Sequence, residues 1–280
     1  VDIVQSIVLG IVQGLTEFLP ISSSAHLEVI PWLLKWQYFG KDFDVALHIG
    51  TFLGTLVYYR KELYELIRDF IRSFGNLKSI TTDTKLRLPW LIILSSLPAI
   101  VAALALKHAI EKITDPSETK LAILLTALCL IVFGILLALA DNCGSKKKGM
   151  DKMTFKDALL IGLFQALALI PGVSRSGITI TSGLFLGQKR DSAANYSFLI
   201  SIPVLGGAAG YEALKFIHHA GSDHQWAALL TGIAASAVSG YLVINFLLSY
   251  LKKGSFTVFV AYRIILGLIL ALSYFLVLPR

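Results

Sequence analysis

Eight apolar runs make up most of the chain, and two of them are broken internally by proline and serine. They cover about Ile3–Leu34, Val45–Tyr59, Leu88–Leu106, Leu121–Ala140, Ala158–Leu186, Ala194–Leu214, Trp226–Leu251 and Phe256–Leu278. A helix that spans a bilayer needs about 20 predominantly apolar residues, and lipid offers no partner to an open backbone N–H or C=O. Runs of this length and number dictate helices packed side by side in a membrane. The composition agrees: of 280 residues, 55% are hydrophobic and 15% charged, and the mean hydropathy is +0.72. Soluble domains carry about 25% charged residues, so this chain has too little charge to coat a soluble particle. A disulfide scaffold is excluded too, since the two cysteines are Cys129, inside an apolar run, and Cys143, in a polar loop. The first run follows Val1-Asp2 and carries Gln13, Glu17 and His26, so it does not read as a signal segment.

The net charge of +7 reflects where the loops lie rather than nucleic-acid binding. Arg60–Arg87 holds seven Lys/Arg against four Asp/Glu, and Asp141–Asp157 holds five Lys against three Asp. The positive-inside rule places both in the cytoplasm. Between them, Lys107–Lys120 has three lysines and three acids and suits the outer side. Six runs, beginning at Val45, Leu88, Leu121, Ala194, Trp226 and Phe256, read as simple spans. The interrupted runs, Ile3–Leu34 and Ala158–Leu186, read as re-entrant hairpins, because irregular backbone at membrane depth must be covered by protein or water. Residues 152 apart match: Gly10 with Gly162, Gln13 with Gln165, Leu15 with Leu167, Ser22 with Ser174, Ser24 with Ser176, Gly54 with Gly206 and Tyr59 with Tyr211. A hairpin plus three spans is an odd number of crossings per half, so the second half is inverted, as in many transporters. The expectation is an all-α integral membrane protein with six transmembrane helices plus two re-entrant helical hairpins in an inverted-topology repeat. It forms a single membrane domain over 1–280, with repeat 1 about 1–140, a cytoplasmic loop about 141–157 and repeat 2 about 158–280.

Chemistry concentrates at the two breaks. Gln13 and Glu17 are four residues apart on one helix face. His26 follows Ser23 by three, close enough for one helical turn to join them, and ionisable groups at membrane depth are functional by default. The second break reads Pro171-Gly172-Val173-Ser174-Arg175-Ser176-Gly177-Ile178-Thr179. An arginine there needs an anion, and its fork matches phosphate oxygens. Ser174, Ser176 and Thr179 add hydroxyls, and the half-helix opening at the break favours negative charge. The bland alternative is a structural Arg175–Glu17 ion pair, which would itself bring the two breaks together. Asp44 and His48 flank the start of a span, where they line the outer mouth or pack in the core or at the interface, and Arg263 lies in the last span, where internal pairing competes with a role in the site. His218, His219 and His224 read as a solvated loop, and Lys146–Lys148 as an inside-facing basic patch.

At these residues the chain resembles the undecaprenyl-diphosphate phosphatase family, also called bacitracin-resistance proteins. The family's first motif appears as Gln13-Gly-Leu-Thr-Glu17, followed by Phe-Leu-Pro-Ile-Ser-Ser and His26; the second is complete from Pro171 to Thr179. Gln13 stands where the family accepts Glu or Gln, and Ser24-Ala25 replaces the more usual Thr-Gly. The resemblance covers nearly the whole chain, including the late Tyr262-Arg263. It implies hydrolysis of undecaprenyl diphosphate to undecaprenyl phosphate and orthophosphate, which recycles the lipid carrier for cell-wall synthesis and confers bacitracin resistance. It also implies a multi-pass protein of the bacterial cytoplasmic (inner) membrane whose active site opens to the outer face. The implied cofactor is a divalent metal, Mg²⁺ or Ca²⁺, for which Gln13 and Glu17 are the candidate ligands. Expected partners are the polyprenyl diphosphate and membrane lipids, with a second copy of the chain as a candidate and no nucleic acid.

The catalytic candidates are Glu17, Ser23, His26 and Arg175, with Ser174, Arg175, Ser176 and Thr179 on the phosphates. One route has Ser23 attack with His26 as its general base, an imidazole whose ordinary pKa of about 6.5 suits neutral pH. In the other, His26 or Glu17 activates water and Ser23 donates a hydrogen bond. The competing function is a transporter or flippase for a phosphorylated polyprenyl lipid, which needs an anion cradle but no nucleophile.

Overall fold

In the computed structural model of the chain, both breaks interrupt helices. The structure describes residues 2–37, 39–75, 77–106, 119–219 and 226–277, with the side chains of 41, 42, 119–121, 211–219 and 274–277 left aside. Most of the Lys107–Lys120 loop, the Tyr211 and His218–His219 side chains and His224 therefore lie outside the described residues. The helices are α1 (Ile3–Phe18), α2 (Ser23–Leu33), α3 (Lys41–Tyr58), α4 (Arg60–Ser73), α5 (Ser79–Thr82), α6 (Thr84–Ala105), α7 (Thr119–Cys143), α8 (Phe155–Ala166), α9 (Arg175–Phe185), α10 (Arg190–His219), α11 (Trp226–Leu251) and α12 (Thr257–Val277). Short 3₁₀ turns stand at Met150–Lys152 and Leu167–Leu169. Among the described residues there is no strand, only an isolated parallel bridge between Lys148 and Gln188.

Four helices are long and apolar enough to cross a membrane: Thr84–Ala105, Ala122–Cys143, Arg190–Gly210 and Trp226–Leu251. Ile3–Phe18, Phe43–Tyr58 and Thr257–Ser273 are apolar but shorter. Large side chains stay exposed on them, including Val101 and Leu104 on α6 and Val258, Ile265 and Ile269 on α12. Apolar surface of that extent is a lipid contact, so the chain is a multi-pass membrane protein. The basic Arg60–Arg87 stretch contains the amphipathic α4, which leaves Tyr64, Ile67 and Ile71 exposed.

Small residues set the helix contacts, as expected where lipid supplies no hydrophobic drive between helices. α1 and α3 both pack on α11, through Gly10 and Gly14 on α1 and Gly50 and Gly54 on α3. A Cβ on Gly10 would sit 2.5 Å from the Gly232 carbonyl oxygen. From the second half of the chain, α8 packs in the same manner on α6 of the first half, and a Cβ on Gly162 would sit 2.6 Å from the Ser95 carbonyl oxygen.

The break regions correspond in detail. Both following helices, α2 and α9, have 11 residues and start 152 residues apart, at Ser23 and Arg175. Each is preceded by a serine in the left-handed region, Ser22 at φ 74° and Ser174 at φ 71°. That conformation costs a non-glycine residue about 1 kcal/mol or more and persists only where surroundings enforce it. The hydroxyl pairs correspond too: Ser22 with Ser24 at 3.2 Å, and Ser174 with Ser176 at 3.3 Å.

Candidate active site

The C-terminal turn of α1 presents Gln13 and Glu17 on one face, and both are buried. Gln13 Nε2 donates to Glu17 Oε2 at 3.1 Å. Across the first break, the Ser23 hydroxyl donates to the same Oε2 at 2.8 Å. Arg175, first residue of α9, donates Nη2 to Glu17 Oε1 at 3.0 Å and Nη1 to the Ser197 carbonyl at 3.0 Å. Glu17 is thus the point at which the two breaks meet, held by one group on Oε1 and two on Oε2. The ion pair considered from sequence is present. It still leaves Arg175 available, since the described residues take two of the five N–H donors a guanidinium carries.

The other predicted residues are placed differently from expectation. His26 does not face Ser23. Its Nδ1 lies 2.7 Å from the Ser22 carbonyl and its Nε2 lies 2.6 Å from the Tyr262 hydroxyl, with the two rings stacked. A carbonyl only accepts, so Nδ1 carries the hydrogen, and in the neutral imidazole Nε2 then accepts from Tyr262. Ser176, expected on phosphate, is fully buried and donates to the Leu19 carbonyl at 3.0 Å, tying one break to the other. Thr179 is buried as well; its hydroxyl donates to the Arg175 carbonyl at 2.8 Å and lies 2.7 Å from the Ser197 hydroxyl. Both therefore buttress Arg175, because their hydroxyls are already spent on protein partners. Ser174 caps its own helix by accepting from Gly177 N at 3.1 Å. The Ser22 side chain, by contrast, does not cap α2, and an N-terminus without such a cap is of the kind that favours an anion.

A family model described as "Bacitracin resistance protein BacA" matches residues 6–269. The chain belongs to the BacA family. A protein of Geobacter sulfurreducens named undecaprenyl-diphosphatase is 49% identical over 266 residues, which is 95% of this chain and 96% of that protein. Proteins of the same name from Geotalea daltonii and Thermomicrobium roseum are 48% identical over 266 residues and 44% identical over 269. They cover 95% and 96% of this chain, and the matches span 96% of each of those proteins.

Three residues of this BacA-family site carry no assigned role in the sequence reading. His48 Nε2 lies 3.6 Å from Glu17 Oε2, so an expected packing residue stands beside the central carboxylate. Ser197 on α10 meets both Arg175 and Thr179. Tyr262 holds His26 from 236 positions away in the chain. Arg263 was expected to pair internally, and it does so without an acid. Fully buried, it donates to the carbonyls of Pro20 at 3.1 Å, Gly172 at 3.1 Å, Val173 at 2.9 Å, Leu130 at 3.2 Å and Cys129 at 3.4 Å. It thereby clamps both breaks to α7.

The donor set bears on the divalent cation that the resemblance implies. Gln13 Oε1 is buried without a hydrogen-bond partner, since the same amide uses its nitrogen on Glu17. An amide oxygen one turn from a carboxylate is the hard oxygen pair that Mg²⁺ or Ca²⁺ accepts. Among the described residues no group of three or more His, Cys, Asp or Glu side chains gathers. Gln13 and Glu17 would offer two oxygens to such an ion with the amide turned over, since its nitrogen now faces the carboxylate.

Proposed function

We propose that this chain hydrolyses undecaprenyl diphosphate to undecaprenyl phosphate and orthophosphate, with Ser23 as nucleophile and Glu17 as its general base. The observation that carries this reading is the 2.8 Å hydrogen bond from the Ser23 hydroxyl to Glu17 Oε2, beside an arginine held on the other oxygen. An unassisted serine is a poor nucleophile, and a carboxylate within hydrogen-bond reach supplies the missing base. As Ser23 Oγ bonds to the terminal phosphorus, its proton passes to Glu17. The bond from phosphorus to the bridging oxygen breaks, and undecaprenyl phosphate leaves with the electron pair. Water then cleaves the phosphoserine and orthophosphate departs.

Arg175 and the open N-terminus of α2 hold the phosphoryl oxygens as negative charge develops, the usual largest contribution to such catalysis. Ser174, Ser176 and Thr179 position this arginine and its helix. His26 positions rather than catalyses: through the Ser22 carbonyl and Tyr262 it holds Ser22 in its left-handed conformation, which aims the start of α2. A divalent cation seated by Gln13 and Glu17 would neutralise charge on the diphosphate. All these groups come from one chain. A transporter or flippase would need the arginine but not a serine bonded to a carboxylate.

The matched breaks and exchanged helix contacts support a six-span bundle with two re-entrant hairpins in inverted repeat. The basic loops support the assignment of their end to the cytoplasm, with the site opening outward in the bacterial inner membrane. The test is single-turnover phosphate release from undecaprenyl diphosphate by detergent-solubilised Ser23→Ala, normalised to folded protein. The reading requires the rate to fall by more than about a thousandfold, since a lost supporting donor costs only about 1–3 kcal/mol, or about two decades at most. A Ser23→Ala rate above about a thousandth of wild type would leave attack to water.

A further inference from the structure

Away from Glu17 and Arg175, a cavity of about 600 Å³ is lined by Lys189, Asp191 and Asn195 of the α10 entry and by Asn245, Ser249 and Lys252 of α11. An adjoining cavity of about 320 Å³ shares Lys189, Asp191 and Lys252 and adds Lys146 and Arg190. Arg190 is committed, donating Nε and Nη2 to the two oxygens of Asp141. Among the described residues, Lys146, Lys189 and Lys252 form no ion pair, and Asp191 is the single acid lining both spaces. Three ammonium groups therefore face the smaller space with one acid lining it, Asp191, whereas in the larger space Lys189 and Lys252 meet both Asp151 and Asp191.

The arrangement is built rather than incidental. The Lys147 and Lys148 N–H groups donate to the Gly187 carbonyl at 3.1 and 2.9 Å, and Lys189 N–H donates to the Lys148 carbonyl at 2.9 Å. These bonds stitch the loop carrying Lys146 to the loop carrying Lys189. Lys146 itself is held at φ 53°, a conformation a lysine adopts only under constraint. Lys148, in the same loop, is anchored on Asp157. Like charges are thus gathered by backbone bonds, and a bound anion is what makes such a gathering favourable.

The surroundings indicate the source of that anion. α11 supplies one wall of both cavities, and it leaves Leu242 exposed one turn before Phe246 and two turns before Ser249; Phe246 is exposed as well. Apolar surface for an acyl or prenyl tail thus runs along the helix whose end carries Lys252. Basic pockets between membrane helices are suited to phosphate headgroups. We infer that the smaller cavity is a second phosphate site, which takes the phosphate headgroup of an anionic lipid lying against α11. The inference is independent of the catalytic reading, because none of the three lysines touches Glu17, Ser23 or Arg175.

The test uses the full chain in detergent, titrated separately with phosphatidic acid and with inorganic phosphate, and read by native mass spectrometry and thermal shift. The Lys146→Gln/Lys189→Gln/Lys252→Gln variant is compared with the charge-matched Lys61→Gln/Lys78→Gln/Lys156→Gln variant. Phosphatidic acid binding should weaken about tenfold or more in the first and hold within about twofold in the second. Replacing the three lysines by arginine, which preserves charge, should restore it and shows that the glutamine variant is not merely unfolded. Displacement of the lipid by millimolar inorganic phosphate would keep the phosphate site but make free phosphate its occupant. Equal lipid retention by the two triple variants would overturn the inference.

Discussion

Arg263→Met is the substitution that should cost this protein most outside its chemistry. Methionine keeps much of the side-chain volume and removes every donor. Five backbone carbonyls then lose a hydrogen bond, but they do not lose it equally. Leu130 and Cys129 lie within α7, where the helix supplies its own donors. Pro20, Gly172 and Val173 lie in the two breaks, and among the described residues Arg263 is their donor. A buried carbonyl stranded in this way costs about 1–3 kcal/mol, so the three together amount to about 3–9 kcal/mol. Net stabilities are about 5–15 kcal/mol, so the variant should be marginally folded or worse. Unfolding in mixed micelles with increasing sodium dodecyl sulfate, followed by tryptophan fluorescence, measures this difference. Arg263→Lys, with one compact ammonium, reaches fewer carbonyls and should fall between the two. An Arg263→Met protein within about 1 kcal/mol of wild type would refute the clamp, because the orphaned carbonyls would then be finding other donors.

The remaining predictions concern the site and its support. Arg175→Lys should lower kcat/KM by about 2–3 kcal/mol, because an ammonium cannot bridge Glu17 and the Ser197 carbonyl while also holding phosphate; near-normal kcat/KM would remove Arg175 from the transition state. Tyr262→Phe removes the 2.6 Å bond to His26 and should reduce kcat about tenfold with little change in KM, and an unchanged kcat would show that His26 needs no partner to hold Ser22. Gly14→Ala should destabilise the fold by at least about 1–3 kcal/mol, because the added methyl would lie 2.6 Å from both the Gly240 nitrogen and the Ser236 carbonyl oxygen. Measured by the same micellar unfolding, a neutral Gly14→Ala would mean that α1 and α11 are not in close contact.

Local rules reach some of this architecture. Apolar runs and their Pro and Ser interruptions specify helices and place the breaks, because an unpaired backbone in lipid is prohibitive. Helical spacing puts Gln13 beside Glu17, and the 3.1 Å bond between them is what an i, i+4 pair should make. The spacing of Ser23 and His26 satisfies the same rule, yet their side chains go elsewhere: Ser23 to Glu17, and His26 to Ser22 and Tyr262. Spacing says which residues share a turn; it does not say which neighbouring helix offers the better partner. That choice belongs to the close packing of α1, α2, α9 and α12, and through it Ser176 and Thr179 become supports for Arg175. Arg263 is the least legible in the sequence, for a physical reason. Its partners are backbone carbonyls at two breaks and on α7, and a carbonyl carries no signature in the sequence because every residue has one.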